Sequence, residues 1–211
     1  TCDMFIDNPQ GADNFTEIIG THQAGKNDSD VIYVWARTGR VSPNFPSIFC
    51  EKFENLAYIN IQTNHELQFL TSNSFRNCTK LNYLSIYDNL LTDIGEDVFI
   101  NTINLREISL SNNQFTTLPS HTFQHLENLQ LLDIYSNNNL TELPAEVFLP
   151  LRNLEVLRIG YNSQLSFQDD FFTFLGSLTW LELWNHTQMI TINGNLFAPL
   201  TNLQILQLSE N

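Results

Sequence analysis

Charge is scarce in this chain, and positive charge is scarcer still. Only 15% of the 211 residues are charged, and 23 acids against nine Lys and Arg leave a formal net charge of −14. Such a chain repels polyanions, which argues against nucleic acid and anionic membrane surfaces as partners. No run of about 18 apolar residues occurs, so no segment reads as a membrane-spanning helix, and no membrane contact is expected here. The eight glycines are scattered and build no phosphate-cradling loop, and no GxSxG is present. His121 and His125 stand four residues apart without a third ligand, which is too little for a metal set. These absences predict no catalysis, no metal and no cofactor. The chain opens on Thr1 with no signal-peptide core, and a processed or trimmed chain is expected.

What is present is a repeat. The pattern LxxLxLxxN recurs as Leu81-Leu84-Ile86-Asn89, Leu105-Ile108-Leu110-Asn113, Leu129-Leu132-Ile134-Asn137 and Leu154-Leu157-Ile159-Asn162. Upstream, Leu56-Ile59-Ile61-Asn64 fits, and Val31-Val34-Ala36 fits with Gly39 at the Asn position. Downstream, Leu178-Leu181-Leu183 is followed by His186, and Leu203-Leu206-Leu208 by Asn211. The eight start points advance by 24 or 25 residues. A phenylalanine follows six of the starts by 18 or 19 residues, at Phe75, Phe99, Phe123, Phe148, Phe172 and Phe197.

One such unit cannot bury its apolar face alone, so neighbours must stack into a solenoid. Alternation within xLxLx predicts a short strand with one face inward and one outward. Stacked strands then form a parallel sheet on the inner curve. The Asn side chains are expected to satisfy backbone groups where the chain turns, and His186 and Gly39 put the local geometry of that ladder in doubt.

This pattern resembles the leucine-rich repeat family, in the 24-residue form common in extracellular animal proteins, over Val31 to Asn211. The resemblance implies an α/β solenoid, or horseshoe, with a parallel concave β-sheet and irregular or short helical convex segments. The lead-in IIGTHQAGKNDSDV is similar to insect secreted leucine-rich repeat proteins and Toll-like receptor ectodomains. Residues 1–30 lack the repeat and are read as an N-terminal cap, with about eight repeats over 31–211. The last repeat is truncated and no C-terminal cap is expected.

The aromatic residues segregate. Tyr33, Trp35, Tyr58, Tyr83, Tyr87, Tyr135, Tyr161, Trp180 and Trp184 all fall at the third, fifth, seventh or eighth repeat position, on the outward side of the strands. They comprise all six tyrosines and all three tryptophans, while none of the 16 phenylalanines lies there. Tyr and Trp combine an apolar face with a hydrogen-bonding tip and are enriched at binding hot spots. An exposed array of them predicts a ligand surface, with β-propensity and mutual stacking as the alternative. Arg158 and Glu182 share this face. Arg158 reads as a cross-strand ion pair with Asp133 or Glu182, and as a ligand contact in the alternative. Between the two halves of the array lies a polar saddle of Glu107, Ser109, Ser111 and Asn112.

Three cysteines occur, Cys2, Cys50 and Cys78. Cys50 and Cys78 sit at repeat core positions, where Cys serves as a small hydrophobe. In an oxidising compartment Cys2 could pair with Cys50 and tie the cap down, although sequence does not decide connectivity. The odd thiol allows dimerisation. Glycosylation sequons stand at Asn14, Asn27, Asn77, Asn139 and Asn185. The resemblance implies a secreted or extracellular-side recognition module that binds a protein ligand or receptor partner, including a glycan-bearing one. Its setting would be innate immunity, receptor signalling or adhesion. The rival expectation is a self-assembly module that uses its open C-terminal end or a free cysteine.

Overall fold

The structure, a computed structural model, describes residues 3–5, 19–21, 25–37, 43–45, 47–186 and 195–209. Cys2, Asn14, Gly39 and Asn211 lie outside them. Near the N-terminus, β1 (Asp3–Phe5) pairs antiparallel with β2 (Ile19–Thr21). Then follow β3 (Tyr33–Arg37), helix α1 (Ile48–Lys52), β4 (Tyr58–Asn64), β5 (Phe69–Leu70), β6 (Tyr83–Asn89) and β7 (Asp93–Ile94). The rest are β8 (Glu107–Ser109), β9 (Leu131–Asp133), β10 (Val156–Arg158), β11 (Trp180–Glu182) and β12 (Ile205–Gln207).

Eight strands form one parallel sheet, in the order β3-β4-β6-β8-β9-β10-β11-β12. Each strand supplies one repeat, and the registers align equivalent positions: Tyr33 with Tyr58, Tyr58 with Tyr83, Tyr83 with Glu107. A repeat length of 24 or 25 residues is what returns the chain one strand further along in the same register. On the opposite side the segments are mostly turns. The five residues of α1 and a 3₁₀ turn at Ala145–Phe148 provide the helix there, and β5 and β7 form a short parallel pair of their own.

The core lies between these two sides. The inward residues Leu84, Ile86, Ile108, Leu110, Leu132, Leu157 and Leu181 are all fully buried. At about 1.5–3 kcal/mol for each buried large aliphatic side chain, this stripe carries the solenoid. Phenylalanines stack behind it, with ring centroids 5.7 Å apart for Phe75–Phe99, 6.0 Å for Phe99–Phe123 and 5.8 Å for Phe172–Phe197.

The cysteine expectation is corrected. Cys50 is bonded to Cys78, not to Cys2, with Cα atoms 5.0 Å apart. The two are 28 residues apart in sequence, one repeat plus about one turn. Stacking therefore sets them side by side, and the bridge staples the first two repeats together.

Candidate functional site

The side of the sheet that repeat geometry makes concave is organised by two ladders at the strand ends. The first is the buried asparagine row. Asn113 Nδ2 donates to the carbonyls of Leu110 (3.0 Å) and Ile86 (2.8 Å), its own and the preceding repeat. Asn137 and Asn162 repeat the arrangement, with Leu110 and Ile134, and with Ile134 and Ile159. Each amide thus satisfies carbonyls that the turn would otherwise leave buried and unpaired. His186 continues this row. Its Nδ1 lies 3.1 Å from the Asn162 carbonyl, and its ring packs edge-on against Phe167. Burial pushes its pKa down from 6.5 to about 4, partly opposed by hydrogen bonds to the Asn162 and Ile159 carbonyls. The imidazole is therefore neutral at physiological pH.

The second row is the eighth position. Thr63, Asp88, Asn112, Ser136, Tyr161 and Asn185 all have φ between 53° and 57°, the left-handed region that non-glycine residues enter at a cost. Here the backbone departs from extended geometry, inside β4 and β6 at Thr63 and Asp88, and beyond the strand ends at Asn112, Ser136, Tyr161 and Asn185. Asp88 ties the row together, accepting from Thr63 Oγ1 at 3.1 Å and Asn112 Nδ2 at 2.5 Å. The positive φ at the eighth position thus breaks the strand's alternation, so this row is not a continuation of the outward row.

The nine aromatic residues divide by exposure. Tyr33, Trp35, Tyr58 and Tyr87 are 41–53% exposed. Tyr83 is half-buried and completes a row, with ring centroids 6.2 Å apart for both Tyr33–Tyr58 and Tyr58–Tyr83. The later group is packed instead. Tyr135 contacts Tyr161 (4.9 Å) and meets Trp184 edge-on (6.5 Å). Trp184 lies two repeats from Tyr135, and Gly160 stands between them without a side chain. A Cβ on Gly160 would come within 3.0 Å of the Trp184 backbone nitrogen and 3.2 Å of its Cβ. Trp180 and Trp184 are half-buried, and each buries an indole N–H that finds no acceptor among the described residues. Both tryptophans leave the sheet on its outward side, as the register requires, and neighbours then close around them.

Glu182, between the tryptophans, is 9% exposed and meets Arg158 Nε at 3.3 Å. Arg158 therefore lies in a cross-strand pair with Glu182, while Asp133 accepts from Ser109 Oγ (3.2 Å) and the Tyr135 backbone N–H (3.1 Å). Of the expected polar saddle, Glu107 and Ser109 line a depression of about 200 Å³ together with Tyr83, Tyr87, Asp133 and Arg158 among others, whereas Ser111 is buried and Asn112 lies outside the lining. Asn60 and Gln62 also line it. Sequence reasoning missed both, although they occupy outward strand positions of the second repeat.

Of the sequons, Asn27, Asn77 and Asn139 are exposed and Asn185 is half-buried. Asn27 caps the turn at Asp28–Asp30, its Oδ1 accepting from the Ser29 N–H (2.9 Å) and Oγ (2.6 Å). Asn185 adjoins Trp184 at the strand end. Among the described residues no group of three or more His, Cys, Asp or Glu could hold a metal ion, and no helix is long and apolar enough to cross a membrane.

A family model described as BspA type leucine rich repeat region matches residues 46–179 in six copies. The chain belongs to the leucine-rich repeat family. Among solved leucine-rich repeat structures, it is similar to a chain of the Toll–Spatzle complex, described as a molecular hub in Drosophila development and innate immunity. The TM-score is 0.70 at 24% identity, over 87% of this chain and 27% of that one. A chain of the TLR13–ssRNA13 complex matches with a TM-score of 0.55 at 20% identity, over 82% of this chain and 36% of that one. These likenesses establish the fold. Human oligodendrocyte-myelin glycoprotein is 37% identical over 59 residues, 28% of this chain and 13% of that protein. The chain thus spans about a third or less of the length of each relative.

Proposed function

We propose that this leucine-rich repeat chain is an extracellular recognition module that binds a protein ligand on the concave side of its sheet. Residues 1–30 serve as its N-terminal cap and 31–211 as its repeats. One observation carries the reading: Tyr33, Trp35, Tyr58 and Tyr87 stand 41–53% exposed on adjacent strands. Exposed contiguous aromatic surface is costly in water and marks interaction sites, and rigid Tyr and Trp side chains lose little entropy when a partner covers them. The settings of its relatives, Toll–Spatzle, TLR13 and a myelin glycoprotein, support a role in receptor signalling, innate immunity or adhesion. The TLR13 complex contains RNA, but a net charge of −14 sets this chain against a polyanionic ligand. The anchors expected to matter most are Trp35 and Tyr58. The Trp180–Trp184 group packs on the same side of the sheet, toward its other end.

Affinity capture from extracellular fluid, read by mass spectrometry, compares the native chain with the Trp35→Ala/Tyr58→Ala variant. The partner should be lost while the melting temperature stays within a few degrees. Capture that is unchanged by the double substitution would sink the reading.

A further inference from the structure

We propose that the depression at the centre of the concave side is a subsite for a single cationic side chain, an arginine or lysine of the protein partner. The inference rests on the concave-side reading above and deepens it.

Size comes first. About 200 Å³ is smaller than the cavities that enclose whole small-molecule ligands, and suits one long side chain. Tyr83 and Tyr87 line it, and Tyr87 is 42% exposed. The faces of such rings attract a guanidinium or ammonium.

Charge decides the sign of the occupant. Glu107 is exposed, and its carboxylate makes no hydrogen bond or ion pair among the described residues. Asp133 is oriented by Ser109 and the Tyr135 N–H, both neutral donors that leave its charge uncompensated. The lining cation, Arg158, is held by the nearly buried Glu182 at 3.3 Å. Its charge is thereby neutralised locally, and two carboxylates remain for the occupant. An anion placed here meets both of them, whereas a cation gains both together with the aromatic walls. The net charge of −14 acts in the same direction at long range, drawing a basic partner toward the face.

The test uses the full chain, labelled with ¹⁵N, titrated with ethylguanidinium chloride at constant ionic strength, with glucose as the neutral probe. Saturable amide shifts are expected at Tyr87, Glu107, Ser109 and Asp133. Glu107→Gln, an exposed change that leaves the fold intact, should weaken the guanidinium by about fivefold, the worth of a single partly solvated ion pair. Tyr83→Leu keeps an apolar wall without the ring's electrostatic attraction and should weaken it as well. Glu146→Gln, on the opposite side, should change nothing. Shifts scattered over the acidic surface, equal weakening by Glu146→Gln, or stronger saturation by glucose would each overturn the proposal. If the guanidinium fails while capture still depends on Trp35 and Tyr58, only the cation subsite falls. If capture does not depend on those residues, the concave-side reading itself falls.

Discussion

Replacing His186 by Asn should remove a pH-dependent weakness from the solenoid. The imidazole occupies the asparagine row, fully buried, between Phe167 and the Asn162 carbonyl. Its pKa falls from 6.5 to about 4 on folding, because burial disfavours the charged ring. The unfolded chain therefore takes up a proton at His186 below pH 6.5, and the folded chain only near pH 4. Stability is intact above the upper value, erodes as pH falls through this window, and levels off below it. At about 1.4 kcal/mol per pKa unit, the loss approaches about 3 kcal/mol. Asparagine does not titrate and can make the carbonyl contacts that Asn162 makes one repeat earlier. Urea unfolding of both proteins from about pH 7.5 down to pH 4 isolates the effect, because the other titrating groups are common to both. Near neutrality the two should lie within about 1 kcal/mol, the smaller side chain leaving a gap beside Phe167. At pH 4 the variant should be ahead by about 3 kcal/mol, or about 1 M urea at a typical slope for this size. Parallel stability profiles across the window would refute both the buried neutral imidazole and its place in the ladder.

Two further outcomes test the packing. Cys50→Ser should cost about 3–4 kcal/mol by the loop-closure relation for a 28-residue separation. The native protein with reductant should show the same shift in urea midpoint, and the variant should not respond to reductant. Gly160→Ala places a methyl group 3.0 Å from the Trp184 backbone, which should destabilise by about 1–3 kcal/mol and shift tryptophan emission to the red as Trp184 is displaced. An unchanged spectrum with native stability would contradict the closure of Trp184 over Gly160.

Periodicity was enough to read the repeat length, the inward leucines, the asparagine row, the phenylalanine stack and the outward side of the strand tyrosines and tryptophans. A solenoid is a one-dimensional stack, and each unit carries the pattern its neighbour must match. How side chains lean once they leave the strand was not legible in that pattern. Trp180 and Trp184 share the outward side with Trp35 and Tyr58, yet they are packed while Trp35 and Tyr58 stand open. For Trp184 the difference comes from Gly160, whose missing side chain lets it reach across to Tyr135, two repeats away. The same holds for Cys50 and Cys78, whose Cα atoms stacking brings to 5.0 Å, and for the depression, which residues of five strands build together. The repeat places each residue on a face, whereas contact, cavity and protonation depend on neighbours that lie a repeat or more away along the chain.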